Sequence, residues 1–137
     1  MTEKSIQRVD GKSVPIQNIL HPRSLTIVVF IMHDCPISNR LLPEVKRIFS
    51  EQKGQTQCFV AYVEPESDKS SVIKHSTEYE TKSWALRDTH LDLARSLGAK
   101  VTPECFVIAP DGKVIYRGRV NDLYVDFGKR RVEPTKH

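Results

Sequence analysis

Cys35 stands in the run His33-Asp34-Cys35-Pro36-Ile37-Ser38, where an apolar stretch gives way to an amphipathic one. A thiol in that place has useful chemistry. The thiolate, not the thiol, attacks disulfides. A cysteine just before a helix lies beside unpaired backbone N–H groups and the positive end of the helix dipole, and both favour the anion. His33 adds positive charge nearby and Asp34 opposes it. The competing reading makes Cys35 a small capping or core residue. Burial inside a strand would favour that reading, whereas a strand-to-helix switch followed by proline favours chemistry.

The other candidates carry less. Cys58 opens an apolar strand and reads as core. Three cysteines at wide spacing are not a disulfide framework, and no C-x-x-C pair is present for zinc. His33, Cys35 and His90 are the soft ligands that copper or zinc would need, but one cysteine is too few, so no metal and no cofactor are assigned. His75 and His90 read as surface positions on helices. Glu64, Glu66 and Asp68 read as solvated loop acids.

Several elements must position these residues. Residues 12–20 follow the Asp10-Gly11 turn signal and predict a short strand. Residues 25–32 (LTIVVFIM) are apolar on both sides of the alternation, which suits a central strand covered on both faces. Pro36 suits the first position of a helix. Ile37, Leu41, Leu42, Val45, Ile48 and Phe49 then follow helical spacing, with Pro43 inside and Gly54 as the stop. Residues 56–63 predict a second buried strand, 64–71 a polar loop and 71–82 a helix. Thr89 is placed to cap a further helix that ends at Gly98. Residues 101–109 predict a third strand, entered through Thr102-Pro103, and Asp111-Gly112 turns it into a fourth over 113–120. Helices between the first strands imply parallel crossovers, and the last two strands form an antiparallel hairpin. The expected fold is α/β, a mixed central sheet flanked by helices.

The chain has 137 residues, 39% of them hydrophobic, and a net charge of +4. That length suits one domain over residues 1–137, with a core at about 10–120. Residues 121–137 read as an irregular basic tail. Aromatic residues interleave poorly with the basic ones, so nucleic-acid binding is not supported. The longest apolar run is too short to span a membrane. Residues 1–10 are polar and show no secretory signal, so the chain reads as cytoplasmic as written, or extracytoplasmic if a leader has been removed.

Four features together resemble the thioredoxin superfamily, and in particular its redoxin-like branch related to AhpC/TSA. They are the strand–Cys35-Pro36-x-Ser38–helix unit, Pro43 eight residues after the cysteine, Thr102-Pro103 before a late strand, and the Asp111-Gly112 hairpin with Gly118 on its return strand. Between Cys35 and Pro103 lie 67 residues, which fits the longer insertion of that branch. The resemblance implies a thiol–disulfide oxidoreductase with Cys35 as attacking thiolate. Ser38 would hydrogen-bond the sulfur. Pro36, Thr102 and Pro103 would line the substrate groove, with the Thr102–Pro103 bond cis. Ser38 stands where the family's second cysteine would be, so an outside thiol such as glutathione or a partner protein would complete the cycle. Cys105, two residues after Pro103 and on the same side of the strand, is either a resolving thiol or a small buried hydrophobe, the latter being the default. The partners implied are protein or small-molecule thiols and disulfides. The family's last helix is not recognisable after Val120, and a sheet face left open would suit a homodimer. A redoxin-type peroxidase ranks below the oxidoreductase: Met32 stands where peroxidatic enzymes carry threonine, and Glu104 follows the proline. A non-catalytic binding module on the same fold is the third reading.

Overall fold

The computed structural model describes residues 4–52 and 56–120. Gly54 as a helix stop and the basic tail over 121–137 lie outside the described residues. Seven strands form one sheet: β1 (Ser5–Arg8), β2 (Ser13–Pro15), β3 (Leu25–Ile31), β4 (Thr56–Tyr62), β5 (Ala85–Arg87), β6 (Glu104–Ile108) and β7 (Val114–Gly118). Their order is β2-β1-β5-β4-β3-β6-β7. β3 pairs parallel with β4, and β4 with β5; the other pairings are antiparallel. This is the mixed α/β sheet that the sequence predicts.

The pleat of β3 divides the core. Ile27, Val29 and Ile31 face one side with Val60, Tyr62, Cys105 and Val107. Val28 and Phe30 face the other with Ala61, Phe106 and Ile108. A strand buried on both faces takes apolar residues on both sides of its pleat, which is why the run shows no alternation, and the buried Thr26 hydroxyl is satisfied by Gln57. Each large side chain so buried contributes about 1.5–3 kcal/mol.

Two helices cover the first face. α2 (Pro36–Glu51) has Pro36 in its first turn, continues through Pro43, and buries Leu42, Val45, Ile48 and Phe49. α3 (Lys69–Glu78) adds Val72. On the second face α1 (Gln17–Leu20) contributes Ile19, and α4 (Asp92–Leu97) contributes Leu93 and Ala94.

Three local expectations change, and the structure adds a strand, β5, that the sequence does not predict. The strand expected over 12–20 is β2 followed by α1, and β1 precedes it, so Asp10-Gly11 joins a hairpin. α3 begins at Lys69 and ends at Glu78, because Glu80 takes a left-handed backbone (φ 57°) that no helix continues. β5 is only three residues long and lacks a readable period. Leu91, not Thr89, stands at the cap position of α4, and the acceptor for its first turn comes from Asp88, whose carboxylate accepts the Leu93 and Ala94 N–H groups at 3.1 and 2.9 Å. Burial raises the Asp88 carboxyl above its usual range, although these two amides pull it down.

Candidate functional site around Cys35

β3 ends at Ile31, and residues 32–35 turn the chain into α2. Cys35 is the residue that caps α2. Its backbone is extended (φ −89°, ψ 113°). Its amide donates to Met32 O at 3.2 Å, and its carbonyl accepts from Asn39 N at 3.0 Å. The sulfur is partly exposed and accepts the Ser38 N–H at 3.5 Å. Across from it runs the loop before β6, where the Thr102–Pro103 peptide bond is cis and Thr102 O lies 3.9 Å from Sγ. Cys35, Pro36, Ser38, Thr102 and Pro103 therefore gather at one place.

The electrostatics at Cys35 favour its anion. The Ser38 hydroxyl holds the thiol below its usual range, helped by the Ser38 amide; shallow burial opposes them, and Ile37 N–H and Thr102 add smaller support. The Ser38 hydroxyl makes no hydrogen bond of normal geometry, and its oxygen is the one buried side-chain polar atom among the described residues of which that is true. A donor left open beside a sulfur is available once that sulfur carries charge.

The remaining thiols sit in the opposite setting. Cys105 is fully buried between β3 and β7, and burial raises its thiol well above the ordinary value. Cys58 is partly buried against the same core, and burial pushes it up to about 12. All three cysteines are free.

Two glutamates fix the two sides of the site. Glu64, just after β4, is buried; its carboxylate accepts the His33 N–H at 2.8 Å and pairs with His33 Nδ1. The expectation of a solvated loop acid is thereby corrected: the carboxylate turns inward to satisfy the turn that carries Cys35. Glu104, the first residue of β6, is buried as well. It accepts the Lys100 and Val101 N–H groups at 2.8 and 3.4 Å and pairs with Arg117 Nε at 3.2 Å. Burial works to raise its carboxyl, but the two amides and Arg117 prevail and hold it below the usual range. Arg117 also donates to Gly98 O, and so ties β7 to the end of α4.

His75 is likewise corrected from surface to interior. It is buried on α3, with Nδ1 2.7 Å from the Tyr62 hydroxyl and Nε2 2.6 Å from Asn39 Oδ1. The signal was its spacing: Val72, His75 and Tyr79 share a helical stripe. His90 is exposed, beside Arg87 and Glu66 rather than near Cys35. The ligating atoms of His33, Asp34 and Glu64 lie within 4.8 Å of one another, but His33 and Glu64 already satisfy each other there.

Apolar side chains are exposed in both segments that meet here: Ile37, two residues after Cys35, is 49% exposed, and Val101, next to Thr102, is 62%. A cavity of about 460 Å³ opens at Val101 and Thr102, lined also by Phe30, Met32, Val63 and Leu91. Among the described residues no helix is long and apolar enough to cross a membrane.

Known structures share this architecture. An uncharacterised conserved protein from Geobacillus kaustophilus superposes with a TM-score of 0.74 at 19% identity, over 86% of this chain and 66% of that one. The pneumococcal exposed lipoprotein thioredoxin from Streptococcus pneumoniae gives 0.75 at 15% identity, over 93% and 99%. A secreted disulfide oxidoreductase from Mycobacterium tuberculosis gives 0.74 at 11% identity, over 92% and 95%. No curated protein matches the sequence. Residues 16–122, which span every helix and strand from α1 to β7, match the family described as the thioredoxin-like domain, and the chain belongs to that family.

Proposed function

We propose that the protein is a thiol–disulfide oxidoreductase in which Cys35 is the single attacking sulfur. The observation that carries this reading is a partly exposed thiol, held below its ordinary pKa, capping a helix opposite Thr102. The Cys35 thiolate attacks one sulfur of a substrate disulfide. A Cys35–substrate disulfide forms, the other substrate sulfur leaves as a thiolate, and that thiolate takes a proton from water. Ser38 cannot complete the exchange, so an external thiol attacks the mixed disulfide. Its thiolate bonds to the substrate sulfur and Cys35 leaves as a thiolate; a second external thiol then cleaves the substrate–thiol disulfide, so two thiols are oxidised to one disulfide as the substrate disulfide becomes two thiols. Ser38 donates to the charged sulfur, while Pro36, Thr102 and Pro103 line the groove for the substrate backbone. Ile37, Val101 and the adjoining cavity favour a protein substrate with apolar residues beside its disulfide. Cys105 is assigned to packing, since a buried thiol with a raised pKa is a poor resolving nucleophile. Two similar proteins are described as an exposed lipoprotein and a secreted enzyme, which supports the extracytoplasmic alternative.

The test combines iodoacetamide alkylation across pH with capture of a disulfide-containing peptide. Cys35 should alkylate with an apparent pKa below that of a free model thiol, and it should form a mixed disulfide that glutathione releases. Cys35→Ser should abolish both, and Cys105→Ala should abolish neither. If Cys35 reacts like a free thiol and captures no peptide, the reading fails and the binding module takes its place.

A further inference from the structure

A chain of hydrogen bonds runs from the interior to the turn that carries Cys35, and the redox reading does not use it. Thr81 Oγ1 lies 2.9 Å from the Tyr62 hydroxyl, which lies 2.7 Å from His75 Nδ1. His75 Nε2 lies 2.6 Å from Asn39 Oδ1, and Asn39 Nδ2 donates to His33 O at 3.1 Å. Tyr62 and Thr81 are fully buried, and His75 nearly so.

The direction of each bond follows from chemistry. The His33 carbonyl only accepts, so the Asn39 amide nitrogen faces it and the Asn39 oxygen faces His75. That oxygen also only accepts, so His75 Nε2 must carry a hydrogen. In a neutral ring Nδ1 then accepts, the Tyr62 hydroxyl donates to it, and Thr81 donates to Tyr62. Burial lowers the His75 pKa and the nearby His33 lowers it further, against a smaller pull from Glu78, so the neutral ring prevails. The groups around the ring are Tyr62 from β4, Asn39 from α2, His33 from the turn, Glu78 from α3, and Tyr79 and Thr81 from the segment that follows it. Tyr79 stacks on the ring at 4.2 Å between centroids.

Asn39 is where this chain meets the site. Its side chain holds the His33 carbonyl and its amide donates to the Cys35 carbonyl. One residue thus grips both ends of the His33–Cys35 turn, and His75 fixes which way its amide faces. We propose that His75 is a positioning residue for Cys35: through Asn39 it holds the turn so that the sulfur stays aligned with the Ser38 N–H. The inference rests on Cys35 being the reactive sulfur. It adds that the alignment is set from α3, on a histidine that never touches the substrate.

The test needs a variant that keeps the ring but not the bonds, and one that keeps the Nε2 donor. His75→Phe preserves the stack on Tyr79. It should slow Cys35 alkylation at about pH 7 by roughly tenfold through a higher apparent thiol pKa, with the high-pH plateau kept. His75→Gln can donate to Asn39 and should recover to within about threefold of the native rate, as expected if the donor matters more than the ring. Nitrogen NMR of the native protein at neutral pH should show the Nε2–H tautomer at His75. An unchanged pH profile in His75→Phe overturns the proposal. Failure of His75→Gln to recover also overturns it, because ring packing alone would then explain the loss. An Nδ1–H tautomer overturns it without any variant, so a misfolded His75→Phe would not leave the question open. Failure of the redox reading looks different: the native protein captures no disulfide peptide, yet its Cys35 alkylation still responds to His75.

Discussion

The two loops that meet at Cys35 are each pinned by a buried glutamate, but the partners of those glutamates differ. Glu64 holds the turn after β3 through one amide and the imidazole of His33. Glu104 holds the loop before Pro103 through two amides and the guanidinium of Arg117. The guanidinium is a rigid fork that reaches Glu104 and Gly98 O together, while the imidazole meets its glutamate through one ring nitrogen. The Pro103 side is therefore tied at more points than the side that carries Cys35.

The contrast predicts unequal costs. Glu104→Ala leaves two amides and Arg117 without their acceptor and should lower unfolding stability in urea by about 2–3 kcal/mol. Glu64→Ala frees one amide and the partly exposed His33 ring and should cost about 1–2 kcal/mol. Equal losses would erase the distinction between the loops. The next effect is on acid stability. Glu104 has a carboxyl below its ordinary value of 4.5, so the folded state holds its proton less tightly than the unfolded chain. The stability this adds is full above 4.5 and is lost as pH falls through the lower native value. Glu104→Gln should be less stable near neutrality, and its urea midpoint should fall less steeply over that acid range. An identical acid slope would show that Glu104 is not held as described. The smallest effect belongs to Arg117→Lys. The Arg117 side chain is 43% exposed, so losing its fork should cost about 0.5–1 kcal/mol, and added salt should shrink the difference.

The sequence displays the frame of the molecule better than its wiring. β3, the start of α2, β4, β6 and the hairpin to β7 were legible because apolar periodicity, Pro36 and Asp111-Gly112 are local signals. β1 and β5 were not, since strands of four and three residues are too short to show a period and are defined by their partners. The meeting of Cys35 with Thr102 was legible only through a resemblance, because nothing local joins residues so far apart. Glu64 and His75 misled for a different reason. Charged and polar types default to the surface, and their burial depends on partners on other elements: His33 for one, Tyr62 and Asn39 for the other. His75 did lie on the inner stripe of its helix, so the pattern placed it inside while its residue type suggested otherwise.

The place of β1 in the sheet bears on how the protein is made. β1 pairs locally with β2, but its other neighbour is β5, with Gln7 opposite Arg87. Those two residues are 80 apart in the chain. At about 5–20 residues per second, a ribosome delivers the second roughly 4–16 s after the first. For that interval the leading hairpin has only one of its two seams closed. Its other border is joined only after β3 and β4 have been translated, so β1 precedes the rest of this sheet in the chain and is among the last of its strands to be sewn in.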